Sequence, residues 1–245
     1  MKQTIAELNF LEGATVLIDK PYGWSSFALV NQLKKWTKAK TGHAGTLDPL
    51  ASGLMILCTG KHTKTLGSIT GLVKEYTGII HLGATTPTFD LESEPTAQQN
   101  IDHLTQSMVA EKIALFTGDI LQKPPVHAAI KQDGKPIYLA ARKGEHIEVL
   151  AKPKTVFAFE ITSFNLPEIG FRIACSSGTY IRSLANDLGE ELGCGAYLKA
   201  LRRTQIGDFR IEESYTIDEL SAHFGSQMNA RIIKPWNERN LVQGA

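Results

Sequence analysis

The chain has 245 residues, 42% hydrophobic and 21% charged, with a formal net charge of +1. That length buries a real core in one large domain or two small ones, and no apolar run approaches the roughly 18 residues of a membrane span. The N-terminus MKQTIAELNFLEG has acids and no apolar signal core, and Cys58, Cys175 and Cys194 show no CxxC spacing, which argues against export, a disulfide frame or a zinc knuckle and for buried thiols in a reducing cytoplasm.

TVLIDKP (15–21) predicts a short buried strand ending at proline. Ser25 or Ser26 can cap a helix whose apolar residues Phe27, Val30, Leu33 and Trp36 recur at helical spacing. LMILC (54–58) predicts a central strand, and in EYTGIIHLG (75–83) alternation sets Tyr76, Ile80 and Leu82 on one face. Asn100 to Phe116 reads as a helix. Residues 122–154, rich in proline, glycine and lysine, read as a surface arm or insertion. Segments 155–165 and 169–176 alternate as two strands, with Phe157, Phe159 and Ile161 sharing a face in the first. They lead into GTYIRSLANDLGEELGCG, a helix closed by Gly193, and KALRRT (199–204) reads as a solvated basic turn. Strands and helices mix without regular βα alternation, the pattern of an α+β fold.

Charge is sorted along the chain. From Lys20 to Lys74 there are eight lysines and one acid, Asp48, whereas Ala84 to Asp119 holds six acids and one base. Such sorting suits either plainly solvated faces or a basic face turned to a polyanion. There is no GxGxxG, no HExxH and no GxSxG. GKHT (60–63) imitates a phosphate loop, but His62 stands where a magnesium-binding Ser or Thr is needed and Met55 where the upstream glycine belongs. What remains is a reaction without cofactor or metal.

Asp48 before Pro49 fits a helix N-cap. Taken alone, that reading is preferred; against it stands the acid-poor setting, which fits a carboxylate kept ionised by surrounding cations and suited to nucleophilic attack or to stabilising positive charge on a sugar. His43 fits a core histidine or an aromatic plate for a base; Tyr76 fits a core tyrosine. Arg182 has Asp187 and Glu190 within reach on its own helix. Near a helix N-terminus, however, the dipole disfavours a cation, which points to some other carboxylate partner.

GHAGTLDPLASGLM (42–55) resembles the catalytic motif of bacterial tRNA pseudouridine-55 synthases of the TruB type. DKPYGWSS (19–26), KEYTGIIHLGATTPTFD (74–90), QKPPVHAAIKQDGKPIYLAARKG (122–144) and CSSGTYIRSLANDLGEELGCGAYLKALRRTQIG (175–207) resemble its other motifs, in family order. The resemblance implies a pseudouridine synthase fold, a mixed and largely antiparallel sheet flanked by helices, with an inserted RNA-binding arm at 122–154. It implies Asp48 as the catalytic aspartate paired with Arg182, Tyr76 stacked on a flipped uracil, and His43 filling the gap in the RNA. Tyr180 and Leu201 would line the uridine pocket, and Lys20 would be structural or phosphate-facing. It implies a monomer acting on the tRNA T stem-loop with no cofactor, metal, membrane or protein partner. Ala44, Pro87, His127-Ala128 and Ser177 depart from the family pattern, and the 38 residues after Gly207 are too few for the PUA-type domain many relatives carry. The expectation is one catalytic domain with a short tail, about 210–245.

Overall fold

The computed structural model describes residues 4–125, 131–132, 135–136, 150–225 and 232–239. Most of the expected arm, including His127 and Ala128, lies outside the described residues.

Along the chain come β1 (Thr15–Lys20), α1 (Ser26–Thr37), β2 (Thr41–His43), β3 (Ala51–Thr59), α2 (Leu66–Gly71) and β4 (Lys74–Leu82). Then follow α3 (Gln106–Ala114), β5 (Gly118–Gln122), the short β6 (Lys131–Gln132) and β7 (Lys135–Pro136), β8 (Lys152–Asn165) and β9 (Glu168–Cys175). The chain ends with α4 (Ile181–Glu191), β10 (Ala196–Ile206), β11 (Phe209–Arg210), α5 (Ile217–Phe224) and α6 (Trp236–Arg239). Two compact units divide this order: Met1–Thr77 with Ala200–Pro235, and Gly78–Lys199 with Trp236–Ala245. Strands β4 and β10 each contribute residues to both.

In the first unit β3 is the organising strand. Its apolar run ASGLMILCT is buried almost throughout because both its faces and both its edges are covered. One edge pairs antiparallel with β1, from Thr15↔Cys58 to Lys20↔Gly53. The other is shared, parallel β10 taking Ala51–Gly53 and antiparallel β2 taking Leu57–Thr59. At the Arg203↔Gly53 pair only glycine fits: its φ is +104°, and a Cβ there would lie 2.3 Å from the Arg203 carbonyl oxygen. The last segment of this unit covers β1, with Tyr215 N–H donating to Leu17 O and Asp19 N–H to Tyr215 O. Phe224 of α5 stacks on Trp36 of α1, centroids 5.0 Å apart.

Ser25 caps α1, accepting from Ala28 N–H at 3.1 Å. The helix buries Ser26, Leu29 and Leu33, while Phe27 is 69% exposed. Of the expected 27/30/33/36 stripe Leu33 is buried, Val30 and Trp36 are half-buried and Phe27 is exposed, because the helix docks by its leucines and stacks Trp36 on α5.

In the second unit the strand order is β4-β9-β8-β5, with β9–β8 and β8–β5 antiparallel. A register shift between Val156 and Ala158 makes Phe157 the extra residue of a bulge. Parity flips there, so Val156 and Phe159 are buried and Phe157 is 56% exposed; the three-residue face expected for β8 does not form. The helix expected from Asn100 starts only at Gln106, capped by Thr105. Before it, Asn100 Oδ1 accepts from Asp102 N–H at 2.9 Å, a local side-chain bond that competes with helix. KALRRT is not a turn but part of β10, and Arg203 within it is 1% exposed.

Tyr76, Ile80 and Leu82 are all buried, as alternation along β4 predicts, and the three cysteines are free and buried. The mixture of mostly antiparallel strands and helices is α+β. Among the described residues no helix is long and apolar enough to cross a membrane.

Candidate active site

Residues 44–50 link β2 to β3 and carry Asp48. Leu47 and Leu50 are buried on either side of it, which leaves Asp48 half-buried between two hydrophobic anchors. The backbone is gripped at several points. Ser26 Oγ donates to Leu47 O at 2.7 Å and accepts from Leu47 N–H at 2.9 Å. Gly23 N–H donates to Pro49 O at 2.8 Å, and Ala44 N–H to Ile56 O at 2.9 Å. Ala51 N–H donates to Asp48 O at 3.1 Å, closing a turn with Pro49 at its second position, where the fixed φ of proline is favoured. Asp48 is thus no helix cap: the turn delivers the chain into a strand.

Two buried cations lie under this loop. Lys20 is 0% exposed, and its Nζ donates to Trp24 O (2.6 Å), Pro21 O (3.0 Å) and Pro49 O (3.3 Å). Burial lowers its pKa to about 7, while the negative charge of Asp48 pulls the other way. Arg203 donates through Nε to Leu54 O at 2.7 Å and through Nη2 to Gly45 O at 3.1 Å, so one guanidinium clamps β3 to the loop entrance. The basic run thus contributes backbone anchors as well as solvated charge.

His43, the last residue of β2, is half-buried, and its Nδ1 is buried with no hydrogen-bond partner among the described residues. Burial, then the nearby Arg203 charge, hold its pKa below the usual histidine value. The ring is neutral at neutral pH and suited to stacking. Leu201 of β10 sits in register with Ala51, three residues after Asp48. Tyr76 is 8% exposed on β4.

Tyr180 and Arg182 belong to the second unit. Tyr180 is the N-cap of α4 and half-buried; Arg182, in the first turn, is 6% exposed. Arg182 Nη1 lies 3.5 Å from Asp90 Oδ2 and donates to Thr88 O at 3.2 Å. The alternatives on its own helix are otherwise engaged: Glu190 accepts from Asn186 at 2.9 Å, and burial pushes Asp187 up to about 6. Asp90 is itself fixed, its Oδ1 accepting from Glu92 N–H at 2.9 Å and its backbone bridging Leu198. The helix position asked for another carboxylate beside Arg182, and the resemblance named Asp48 for it; Asp90 was not named. Its only signal was an acid closing TTPTFD inside a motif. Of the departures from the family pattern, Ala44 is fully buried, Pro87 is exposed, and Ser177 offers its carbonyl to Lys154 Nζ at 2.9 Å.

The model of the TruB family pseudouridylate synthase N-terminal domain matches residues 33–181, and that of the tRNA pseudouridylate synthase B C-terminal domain matches 182–238. The tRNA pseudouridine synthase B of Flavobacterium johnsoniae is 49% identical over 217 residues, 85% of this chain and 95% of that one. That of Phocaeicola vulgatus is 46% identical over 233 residues, 92% and 99% of the two chains. Among solved structures, a chain of a Cbf5-Nop10-Gar1 complex superposes with TM-score 0.68 at 26% identity over 91% of this chain; the match spans 61% of its length. A chain of an H/ACA RNP bound to a substrate RNA shares the fold, with TM-score 0.65 at 24% identity over 95% of this chain and 62% of that one. A family model over more than half the residues and relatives nearly half identical along most of their length agree with the motifs. The chain belongs to the TruB family of pseudouridylate synthases, enzymes that isomerise uridine to pseudouridine.

Proposed function

We propose that this chain converts uridine 55 in the T-loop of tRNA to pseudouridine, with Asp48 as the essential group. The observation that carries the reading is the mounting of Asp48. It is the single acid between Lys20 and Lys74, half-buried between Leu47 and Leu50, on a backbone held by Ser26, Lys20 and Arg203. A carboxylate so held is preorganised for a reacting carbon, since the loop pays little reorganisation when substrate arrives.

The reaction breaks the bond from ribose C1′ to uracil N1, turns the base and joins C1′ to C5. N1 ends protonated and C5 loses its proton, so nothing is oxidised and nothing is added. Asp48 serves either as nucleophile at C1′ or as a base assisting departure of the uracil. A base within a folded loop must first leave its stack, at a cost of about a few kcal/mol. Stacking on an aromatic side chain contributes roughly 1–3 kcal/mol per base. Tyr76 is assigned to the extruded uracil and neutral His43 to the gap. On the family resemblance, Tyr180 and Leu201 are assigned to the uridine, and Arg182 is assigned to holding the Asp48 carboxylate ionised.

The test uses tRNA carrying tritium at uridine C5. The wild type releases tritium to water and leaves a pseudouridine mapped to T-loop position 55. Asp48→Asn keeps tRNA affinity within a few-fold and loses at least ~10³-fold in rate. Release of free uracil with an abasic ribose would make the protein a glycosylase, and product at another position would displace the T-loop assignment.

A further inference from the structure

Gln122 ends β5, where it pairs in register with Lys152 of β8, and it is 2% exposed. A primary amide buried this far costs stability unless both its donor and its acceptor are used. Both are used on one residue. Gln122 Oε1 accepts from Tyr180 N–H at 2.8 Å, and Gln122 Nε2 donates to Tyr180 O at 3.0 Å. The pair reproduces with a side chain what one residue does for another across a β-ladder. It also fixes the amide's orientation, because an N–H has to face each oxygen.

Tyr180 occupies the N-cap of α4 and makes no side-chain cap. The amide instead fixes the cap's own backbone, whose carbonyl also accepts from Leu184 N–H at 3.2 Å in the first turn of the helix. Two more tethers converge on the same turn. Ser183 Oγ donates to Lys123 O at 3.2 Å, and Lys154 Nζ to Ser177 O at 2.9 Å. Residues 177–183 are therefore tied at three places to residues 122, 123 and 154.

We propose that Gln122 is a positioning residue for the isomerisation: by holding both backbone groups of Tyr180 it sets the turn that presents the Tyr180 and Arg182 side chains. The inference rests on the roles assigned to those two residues above. Arg182 lies two residues beyond the clamp and must still reach Thr88 O and Asp90, so a shift of the cap moves its guanidinium as well. Leucine or methionine would fill the space without holding the turn. Glutamate would keep the acceptor for Tyr180 N–H and lose the donor to Tyr180 O.

Gln122→Met and Gln122→Glu are compared with the wild type for thermal midpoint, tRNA dissociation constant and single-turnover tritium release at saturating tRNA. Gln122→Met is expected to bind tRNA within about 3-fold of wild type and to react roughly 10- to 100-fold more slowly, the scale of an ångström's misplacement. Gln122→Glu should fall between the two. A purely structural glutamine would lower the melting temperature and leave the rate per folded molecule unchanged, and that result overturns the proposal. If the methionine variant does not fold, the glutamate variant decides: a wild-type rate from it overturns the inference. Absence of tritium release from the wild type would instead remove the underlying function, so the two failures are distinguishable.

Discussion

Around Asp48, in the first unit, two buried cations donate to backbone carbonyls: Lys20 to Trp24, Pro21 and Pro49, Arg203 to Leu54 and Gly45. Around Arg182, in the second unit, a buried cation meets a buried carboxylate, Asp90, while an uncharged amide holds the backbone. The first arrangement fixes the chain and leaves positive potential for Asp48, whose charge is the main influence raising Lys20 against burial. The second cancels charge locally and fixes one side chain's direction. A buried cation is therefore not one kind of feature. Its partner decides whether it acts as scaffold or as an aimed group.

Breaking the ion pair of the second region should have the largest effect. Asp90→Ala removes this carboxylate from beside the buried Arg182 and is expected to cost about 3–5 kcal/mol in urea unfolding. Arg182→Met in the same background should return part of that loss, because the buried charge that had lost Asp90 goes with it. Equal or greater destabilisation in the double variant would contradict the pairing. In the first region, Arg203→Met deprives one buried and one partly buried carbonyl of this donor and should cost about 2–3 kcal/mol. Arg203→Lys should recover little, since one ammonium cannot replace Nε aimed at β3 and Nη2 aimed at the loop. Full recovery by lysine would mean that charge, not the clamp, is what matters there.

The difference between the regions explains what the sequence could reveal. The acid-poor run from Lys20 to Lys74 singles out Asp48 because composition is local, and β1 and β3 are legible because their apolar runs are continuous. Arg182 could be seen to want a carboxylate from its place at a helix start. Asp90 could not be chosen from the linear chain, because 92 residues separate Arg182 from it. KALRRT reads as solvated because burying a guanidinium in a strand is rare. Only the register Arg203↔Gly53 reveals that two carbonyls wait for it. Phe157 fails for another reason: a bulge adds one residue and reverses the faces that follow, up to the next shift between Ile161 and Ser163, and alternation alone cannot announce it.

The scaffold role of Lys20 carries a pH signature. Its pKa falls from 10.5 to about 7 in the folded protein, with burial as the largest cause. Between those values the unfolded chain holds a proton that the folded one has released, so stability rises with pH across this window. Below about pH 7 both states are protonated and the penalty of burying the charge is fully present. The slope approaches ~1.4 kcal/mol per pH unit. Lys20→Met should flatten the rise in unfolding free energy between pH 7 and pH 9 relative to wild type, whatever its absolute stability. Parallel curves for the two proteins would show that the ammonium stays charged, held by its three carbonyls and by Asp48.

The smallest effect is expected one residue from Arg203. Arg202 faces the other way on β10 and forms a forked pair with Asp19, Nη2 to Oδ2 at 2.6 Å and Nη1 to Oδ1 at 3.1 Å. Its geometry is better than that of Arg182 with Asp90, yet the Arg202 side chain is 42% exposed and that of Asp19 27%. Water already solvates both groups, so good geometry replaces little. Asp19→Asn should change stability by at most ~1 kcal/mol. The change should shrink further in roughly 0.5 M salt, where exposed charges are screened within a few ångströms. If Asp19→Asn cost as much as Arg203→Met, burial would not be what separates these neighbours, and the distinction between scaffold cations and surface pairs would fail at the position best placed to test it.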